Sequence, residues 1–175
     1  LQRLCGIATH TKKYVDLAKP FNVKILDTRK TTPGMRIFEK YAVKCGGGYN
    51  HRFDLSSGIL IKDNHIQSAG SITKALTKID RKNWIELEVD TFEQIYEGIN
   101  NNVDGFLLDN MIPNKVKEAV NIIRFSESGK KLFIEASGGI NLKNITPYLD
   151  TGVDAISIGA LTHQIRSSDI KLEVK

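Results

Sequence analysis

Short apolar runs alternate with longer amphipathic segments along the whole chain. Six runs rich in aliphatic and β-branched residues predict strands at 24–28, 58–62, 84–89, 105–108, 131–136 and 154–158. Apolar residues at helical spacing predict helices near 2–19, 34–45, 68–80, 91–100, 114–127 and 142–151. Thr91 and Asn141 stand where two of these helices would begin, and both are residue types that commonly cap helix N-termini.

This alternation of strand and helix predicts an α/β fold with a parallel sheet, because the connections are long enough for βαβ units. The spacing of the units favours a barrel. Six strands are fewer than the eight of a complete barrel, so closure would need one or two strands from outside this sequence. We therefore expect an incomplete parallel α/β barrel that forms one domain over residues 1–175, since no linker or low-complexity stretch interrupts the chain. A doubly wound open sheet is the structural alternative.

The predicted strands carry charged side chains, whereas parallel strands covered on both faces are nearly all apolar. In the segment 84–90, Glu86, Glu88 and Asp90 share one face of the strand. Other strands or strand ends contribute Asp27 with Arg29, Lys62, Asp109 and Glu135. An antiparallel sheet with one solvated face would also explain the alternation, but the helix-length connections argue against it. Since barrel active sites lie at the carboxyl ends of strands, these residues predict a polar active-site mouth.

Two glycine-bearing segments follow the last two predicted strands. Ser137-Gly138-Gly139 leaves one strand, Gly159-Ala160 leaves the next, and each opens a helix-like segment. Glycines let backbone N–H groups approach an anion, and the last two βα loops of barrels often form a joint phosphate site. We therefore predict a phosphate site at these two loops. No Walker or GxGxxG motif follows a predicted strand, so nucleotide-hydrolase and dinucleotide sites have no support.

Composition and charge narrow the possible partners. A net charge of +5 suits anionic small molecules as well as nucleic acid. No apolar run is long enough to span a membrane. Cys5 and Cys45 form no CxxC pair, which predicts a reduced, cytoplasmic setting. The first residues lack a signal-peptide layout and predict an amphipathic helix taken from within a longer chain.

The motifs "DTRKTTPG", "CGGGYNHR" and "IKDNH", followed by "ELEVD", "LLDN", "EASGGIN" and "ISIGA", carry a family resemblance. Over residues 1–172 the chain resembles quinolinate phosphoribosyltransferases, also called nicotinate-nucleotide pyrophosphorylases (carboxylating). The resemblance implies an incomplete α/β barrel that follows an N-terminal open-faced sandwich domain, which this chain lacks. It also implies transfer of a phosphoribosyl group from phosphoribosyl pyrophosphate (PRPP) to quinolinate. Loss of CO2 and pyrophosphate would then give nicotinate mononucleotide for de novo NAD biosynthesis.

The basic residues that match the family's quinolinate-binding positions are Arg29, Lys30, His51, Arg52 and Lys62. Quinolinate is a pyridine with two adjacent carboxylates, and arginine offers a bidentate fork that suits carboxylates. We expect His65 to extend this basic cluster. The hypothesis for "KCGGGYNHR" is that a helix ends near Cys45, and that the glycines let the backbone pass close to the ligand and aim His51 and Arg52 at its carboxylates.

The resemblance also implies where PRPP and a metal bind. Glu88 and Asp109 match the family's acidic pair near the ribose hydroxyls and Mg²⁺, with oxygen ligands that this ion prefers. The expected catalytic residues are Lys62, Glu88 and Asp109. The positions that match PRPP phosphate-binding loops are Ser137, Gly138, Gly139, Gly159 and Ala160, with His163 just beyond them.

The implied reaction has two stages and no obvious general base. The pyridine nitrogen attacks C1 of PRPP, and the resulting pyridinium then loses the neighbouring carboxylate, so the protein mainly positions and stabilises charge. In the family, the N-terminal domain helps to close the active site of a neighbouring subunit. We therefore expect a homodimer or higher homo-oligomer, and little or no activity from this 175-residue piece alone.

Three alternative functions remain. A nicotinate phosphoribosyltransferase-like enzyme would bind one carboxylate and need fewer cations, and a molybdenum-transport-associated homologue is also conceivable. A basic RNA-binding module would explain the charge of +5, but the basic residues are not interleaved with aromatics. The carboxylates of "IELEVD" would also repel a phosphate backbone. We therefore expect quinolinate and PRPP as partners, and neither nucleic acid nor a membrane.

Overall fold

The structure is a computed structural model that describes residues 1–174. All six predicted strands are present, with small shifts at their ends. They are β1 (Lys24–Leu26), β2 (Ile59–Ile61), β3 (Ile85–Val89), β4 (Gly105–Asp109), β5 (Phe133–Ser137) and β6 (Ala155–Ser157).

The strands form one parallel sheet in the order β1-β6-β5-β4-β3-β2. From β2 to β6 each strand lies beside the next strand in the sequence, and β1 pairs with β6. A doubly wound sheet would reverse direction at a switch point, and an antiparallel sheet would not pair this way, so both alternatives are wrong. Among residues 1–174, β1 and β2 do not pair, and the ring stays open between them. The fold is therefore an incomplete parallel α/β barrel, as predicted.

The helices surround this sheet. They are α1 (Gln2–Ala18), α2 (Arg36–Cys45), α3 (Asp63–Ala69), α4 (Ile72–Thr77), α5 (Phe92–Asn100), α6 (Pro113–Phe125), α7 (Thr146–Leu149) and α8 (Ala160–His163). Thr91 caps α5 as predicted, because its hydroxyl accepts the Gln94 N–H at 3.3 Å. The largest element that the sequence missed is most of α3, and at α8 only the opening of a helix was predicted.

Two predicted helices have different limits. The helix predicted at 68–80 corresponds to the shorter α4, because Gly70 takes a φ of +89° and ends α3, which begins before the predicted range. The helix predicted at 142–151 starts later and is shorter. Asn141 forms a turn instead of an N-cap, since its side chain accepts the Lys143 N–H at 3.0 Å and α7 begins only at Thr146.

The polar faces of the strands point into the barrel. On β3, Leu87 packs outward against α5, where a Cβ added at Gly98 would lie 2.8 Å from a Leu87 methyl group. Alternation along the strand then directs Glu86 and Glu88 to the inner face. The core lies between the strands and the helices, and the charged residues lie inside the ring. Among residues 1–174, no helix has the length and apolar character needed to cross a bilayer.

The glycine triplet of "KCGGGYNHR" ends α2, as predicted, with Gly47 at a φ of +85°. Its other role differs from the prediction. A Cβ at Gly46 would lie 2.5 Å from the Ala8 carbonyl oxygen, and one at Gly48 would lie 2.8 Å from the Thr11 methyl group. The glycines therefore allow a close approach to α1, and none of them lines the ligand cleft.

Candidate active site

A cleft of about 680 Å³ opens at the carboxyl ends of the strands. Every residue of the predicted catalytic, substrate and phosphate sites lines it. They are Arg29, Lys30, His51, Arg52, Lys62, Glu88, Asp109, Ser137, Gly138, Gly139, Gly159, Ala160 and His163. Their positions in the sequence are far apart, and the parallel sheet brings them together because every strand ends at the same rim.

Three cations form one wall of the cleft. Arg52 is fixed by a hydrogen bond from its Nη1 to the Gly58 carbonyl oxygen at 3.0 Å. Partial burial and then the neighbouring Arg29 lower the pKa of Arg52, although a guanidinium remains charged near neutral pH. Arg29 Nε is buried with no hydrogen-bond partner in residues 1–174, so this donor is available to an anion. Lys62 extends from the end of β2 and contacts Glu88.

His51 is turned toward the interior of the barrel. Its Nε2 lies 3.3 Å from Glu86 Oε2 and 3.4 Å from Glu135 Oε2. Burial lowers the pKa of His51, but the hydrogen bond and charge of Glu86 and the charge of Glu135 outweigh it, so the pKa is raised. His51 Nδ1 accepts the Arg52 backbone N–H at 2.8 Å. Its ring therefore supports Arg52 and the buried carboxylates more directly than it offers a nitrogen to the cleft.

Glu86 and Glu135 are buried close together inside the barrel, and Glu135 also lines the cleft. Burial, and then the proximity of Glu86, raise the pKa of Glu135 to about 8. The potential ligand atoms of His51, Glu86 and Glu135 lie within 4.8 Å of one another. A metal at His51 Nε2 would require the ring proton on Nδ1, where Nδ1 already accepts the Arg52 N–H. The cluster of His51, Glu86 and Glu135 is therefore better suited to share a proton than to bind a metal ion.

Two further carboxylates, Glu88 and Asp109, end neighbouring strands at the cleft. Glu88 contacts the Lys62 ammonium group, and Asp109 Oδ2 accepts a hydrogen bond from the Asn110 side chain at 2.6 Å. Each carboxylate retains oxygens that can bind water. This donor set fits Mg²⁺, which takes oxygen ligands and keeps several waters.

The two glycine loops line the part of the cleft that follows β5 and β6. Gly138 and Gly139 have φ values of +97° and +62°, so the chain turns sharply after β5. The first residue of the second loop, Gly159, leads into α8, which ends at His163. A Cβ at Gly159 would lie 2.8 Å from His163 Nε2 and 3.5 Å from Lys30 Cδ. These loops therefore bring backbone N–H groups and two basic side chains to one place, which suits a phosphate.

His65 does not join the basic cluster, so that expectation is wrong. It is exposed on α3, and its Nδ1 accepts the Lys62 backbone N–H at 3.0 Å. It lines a neighbouring groove of about 560 Å³ instead of the cleft. The sequence could not distinguish a His65 that binds substrate from a His65 that caps a helix, because in either role it stands three residues after Lys62.

Sequence reasoning missed a set of buried polar residues behind the cleft. Asp27 was recognised only as a strand charge, and Glu39, Lys40 and Asn50 were not singled out. One signal was available. Helix α2 exposes Ile37, Phe38 and Tyr41 while it buries Glu39 and Lys40, which reverses the usual amphipathic pattern.

Comparison with known proteins shows the family of the chain. Residues 7–173 match the family model for the quinolinate phosphoribosyl transferase C-terminal domain. The chain belongs to this family. It is 45% identical over 178 residues to the probable nicotinate-nucleotide pyrophosphorylase [carboxylating] of Bacillus subtilis, covering 99% of this chain and 60% of that protein. It is also 38% identical over 196 residues to a mitochondrial quinolinate phosphoribosyltransferase [decarboxylating] of Nicotiana tabacum, covering 99% of this chain and 54% of that protein.

Solved structures of the quinolinate phosphoribosyl transferase family share the fold. The nicotinate-nucleotide pyrophosphorylase of Ehrlichia chaffeensis superposes with a TM-score of 0.93 at 43% identity, covering all of this chain and 63% of that one. The chain spans about 60% of the length of the curated relatives that match it first.

Proposed function

We propose that the chain is the catalytic barrel of an enzyme that transfers the phosphoribosyl group of PRPP to quinolinate. The products are nicotinate mononucleotide, CO2 and pyrophosphate, a step of de novo NAD biosynthesis. The observation that carries the proposal is the placement of Arg29, Arg52 and Lys62 in one cleft together with two glycine loops. One wall suits a dicarboxylate and the other suits a phosphate.

The cationic wall orients the pyridine ring. Arg29 and Arg52 hold the two adjacent carboxylates, and the unpartnered Arg29 Nε supplies one of the donors. With both carboxylates fixed, the ring nitrogen faces C1 of PRPP, whose 5-phosphate lies against the glycine loops at 138–139 and 159–160. Positioning of this kind replaces a general base, because the pyridine nitrogen has no proton to lose.

The acidic pair acts on the charge that develops during transfer. As pyrophosphate leaves C1, positive charge grows on the ribose, and Glu88 and Asp109, which line the cleft, stabilise it. The Lys62 ammonium group, in contact with Glu88, keeps that carboxylate oriented and faces the substrate's second carboxylate. After transfer, the positively charged ring nitrogen stabilises the electron pair that remains on carbon when CO2 leaves, and that carbon then takes a proton from water.

Mg²⁺ would be held by Glu88 and Asp109, directly or through water, and would neutralise the pyrophosphate of PRPP when bound. A chelator should therefore weaken PRPP binding, and Glu88→Gln or Asp109→Asn should reduce the dependence of that binding on Mg²⁺. Titration calorimetry with and without Mg²⁺ measures this. Equal PRPP affinity in both conditions would contradict the metal assignment.

The domain assignment and assembly belong to the same proposal. Residues 1–175 would form the barrel domain, and a homodimer or higher homo-oligomer would complete the site with a neighbouring subunit. The open side between β1 and β2 and the exposed side chains of Ile37, Phe38 and Tyr41 support a covering partner. Activity of the isolated chain equal to that of the full-length protein would contradict this assembly.

Calorimetric binding of quinolinate and nicotinate to the full-length protein tests the substrate. We expect quinolinate to bind more tightly, because three cations face a dianion, and an RNA control should not compete. Tighter binding of nicotinate would favour the monocarboxylate enzyme instead.

A further inference from the structure

Two adjacent residues of α2 have opposite charges and are both buried. Glu39 has 0% of its surface exposed and Lys40 has 1%. A buried charge is costly unless it is paired and hydrogen-bonded, so each must have partners. Because consecutive residues of a helix point in different directions, these two side chains reach different parts of the barrel.

Lys40 reaches the segment that carries the substrate cations. Its Nζ contacts Asp27 and donates to the His51 carbonyl oxygen at 3.0 Å. Asp27 in turn accepts the His51 backbone N–H at 2.9 Å and the Asn50 side-chain amide at 2.6 Å. Both backbone polar groups of His51 are therefore held by the buried pair. Arg52 follows, with its own N–H bound to the His51 ring.

Glu39 reaches the side of the cleft that carries the glycine loop before α8. Its carboxylate accepts hydrogen bonds from Arg3 Nε at 2.8 Å and from the Thr32 backbone N–H at 3.1 Å. Arg3 also donates to the Thr162 carbonyl oxygen at 2.7 Å, and the Thr162 hydroxyl donates to the Lys30 carbonyl oxygen at 2.6 Å. This chain of contacts joins the segment after β1 to α8, beside the glycine loop that precedes α8.

We propose that Glu39 and Lys40 are positioning residues with separate duties: Lys40 orients the dicarboxylate wall through Asp27 and His51, and Glu39 orients the phosphate wall through Arg3 and Thr162. The inference rests on the proposed function for the identity of the two ligands. Within residues 1–174, no side-chain hydrogen bond links the Lys40 partners to the Glu39 partners. Arg36 joins the two segments indirectly, since it donates to the Thr31 hydroxyl and to the Arg29 and Phe53 carbonyl oxygens, so each variant should act mainly on one wall.

The test measures the affinity of each ligand in two variants of the full-length protein. Lys40→Met should weaken quinolinate binding about tenfold or more and leave PRPP binding within error of the parent. Glu39→Gln should weaken PRPP binding by a similar factor and quinolinate binding less, because Arg29 adjoins the segment that Glu39 holds. Titration calorimetry with each ligand provides both numbers. A purely structural role would lower the affinities for both ligands together in each variant. The diagnostic result is therefore that Lys40→Met mainly affects quinolinate and Glu39→Gln mainly affects PRPP.

Two further variants keep the test decisive. The double variant Asp27→Asn with Lys40→Met removes both charges of the pair, so it folds without an unpaired buried charge and should show the same selective loss of quinolinate binding. Arg124→Met is the matched control. It breaks an ion pair of 2.7 Å with Asp154 at the amino ends of the strands and should change neither affinity.

A parallel loss of both ligands in Lys40→Met and Glu39→Gln, with Arg124→Met unaffected, would overturn the proposal. If the parent protein binds neither quinolinate nor PRPP, the proposed function fails, but the positioning inference is still decided by crystal structures of the variants. Lys40→Met should displace residues 50–52 alone, and Glu39→Gln should displace residues 30–32 and 159–163 alone. Unmoved segments would overturn the positioning inference independently of any ligand.

Discussion

The backbone at Gly138 provides the sharpest prediction about the phosphate wall. Gly138 and Gly139 both have positive φ, at +97° and +62°, but their surroundings differ. A Cβ at Gly138 would lie 2.3 Å from Asn110 Oδ1 and 2.7 Å from the Asn110 backbone nitrogen, whereas a Cβ at Gly139 meets nothing within 4 Å. Alanine at the two positions therefore separates the cost of the clash from that of the backbone conformation.

The expected magnitudes follow from these contacts. Gly139→Ala should cost about 1–2 kcal/mol of stability, the usual cost of the left-handed region for an L-residue. Gly138→Ala carries a similar strain, and the overlap with Asn110 adds about 1–3 kcal/mol, as overpacking does. Asn110 also has a positive φ, of +53°, so Asn110→Gly fits its backbone and removes the side-chain part of the overlap. The double variant should therefore recover part of the loss.

Urea unfolding of the full-length protein, followed by circular dichroism, measures these differences as shifts of the midpoint at constant slope. Asn110 donates to Asp109, so the Gly138→Ala overlap should also disturb the candidate metal ligand and weaken PRPP binding. Equal stability of Gly138→Ala and Gly139→Ala would refute the packing argument. So would a double variant no more stable than Gly138→Ala.

Three other predictions test separate parts of the account. Arg52→Ala and Lys62→Ala should each weaken quinolinate binding about tenfold or more by calorimetry, because each removes a cation from a dicarboxylate site, and normal affinity would remove these residues from the site. Gly48→Val should weaken quinolinate binding more than PRPP binding, since its side chain would push the segment before His51 away from Thr11, and equal losses would contradict this. The raised pKa of Glu135 means that the folded protein keeps a proton which the unfolded chain releases, so stability should fall as pH rises from about 4.5 toward 8. Unfolding titrations should show this fall in the parent and not in Glu135→Gln, and an identical pH profile would refute the assignment.

The fold was largely predictable because the sequence patterns that indicate its strands and helices are local. Apolar runs of strand length mark β1 to β6, and their parallel arrangement follows from the helix-length connections. The choice of a barrel over a doubly wound sheet was less certain, since it depends on which strand lies beside β1. That pairing joins Lys24 to Ala155, which are far apart in the sequence. No local pattern encodes such a contact.

The cleft residues were predictable for a different reason. Arg29, Lys62, Glu88 and Asp109 are charges placed at or beside strand ends, where a barrel has its active site, and the family motifs contain them. The supporting residues were not found, because a buried Lys40 and an exposed lysine look alike in sequence. Only the reversed polarity of α2 hinted at the difference. His65 failed in the opposite way, since its motif is adjacent to the site but its side chain completes a local helix cap.

The measurement that tests the central claim most directly is quinolinate-dependent release of CO2 and pyrophosphate from PRPP by the full-length protein. Carboxyl-labelled quinolinate and a coupled pyrophosphate assay follow the two products together. The account predicts equal amounts of both, dependent on quinolinate and reduced in Arg52→Ala at the quinolinate concentration that half-saturates the parent. Pyrophosphate release with nicotinate instead of quinolinate, or no release with either, would contradict it.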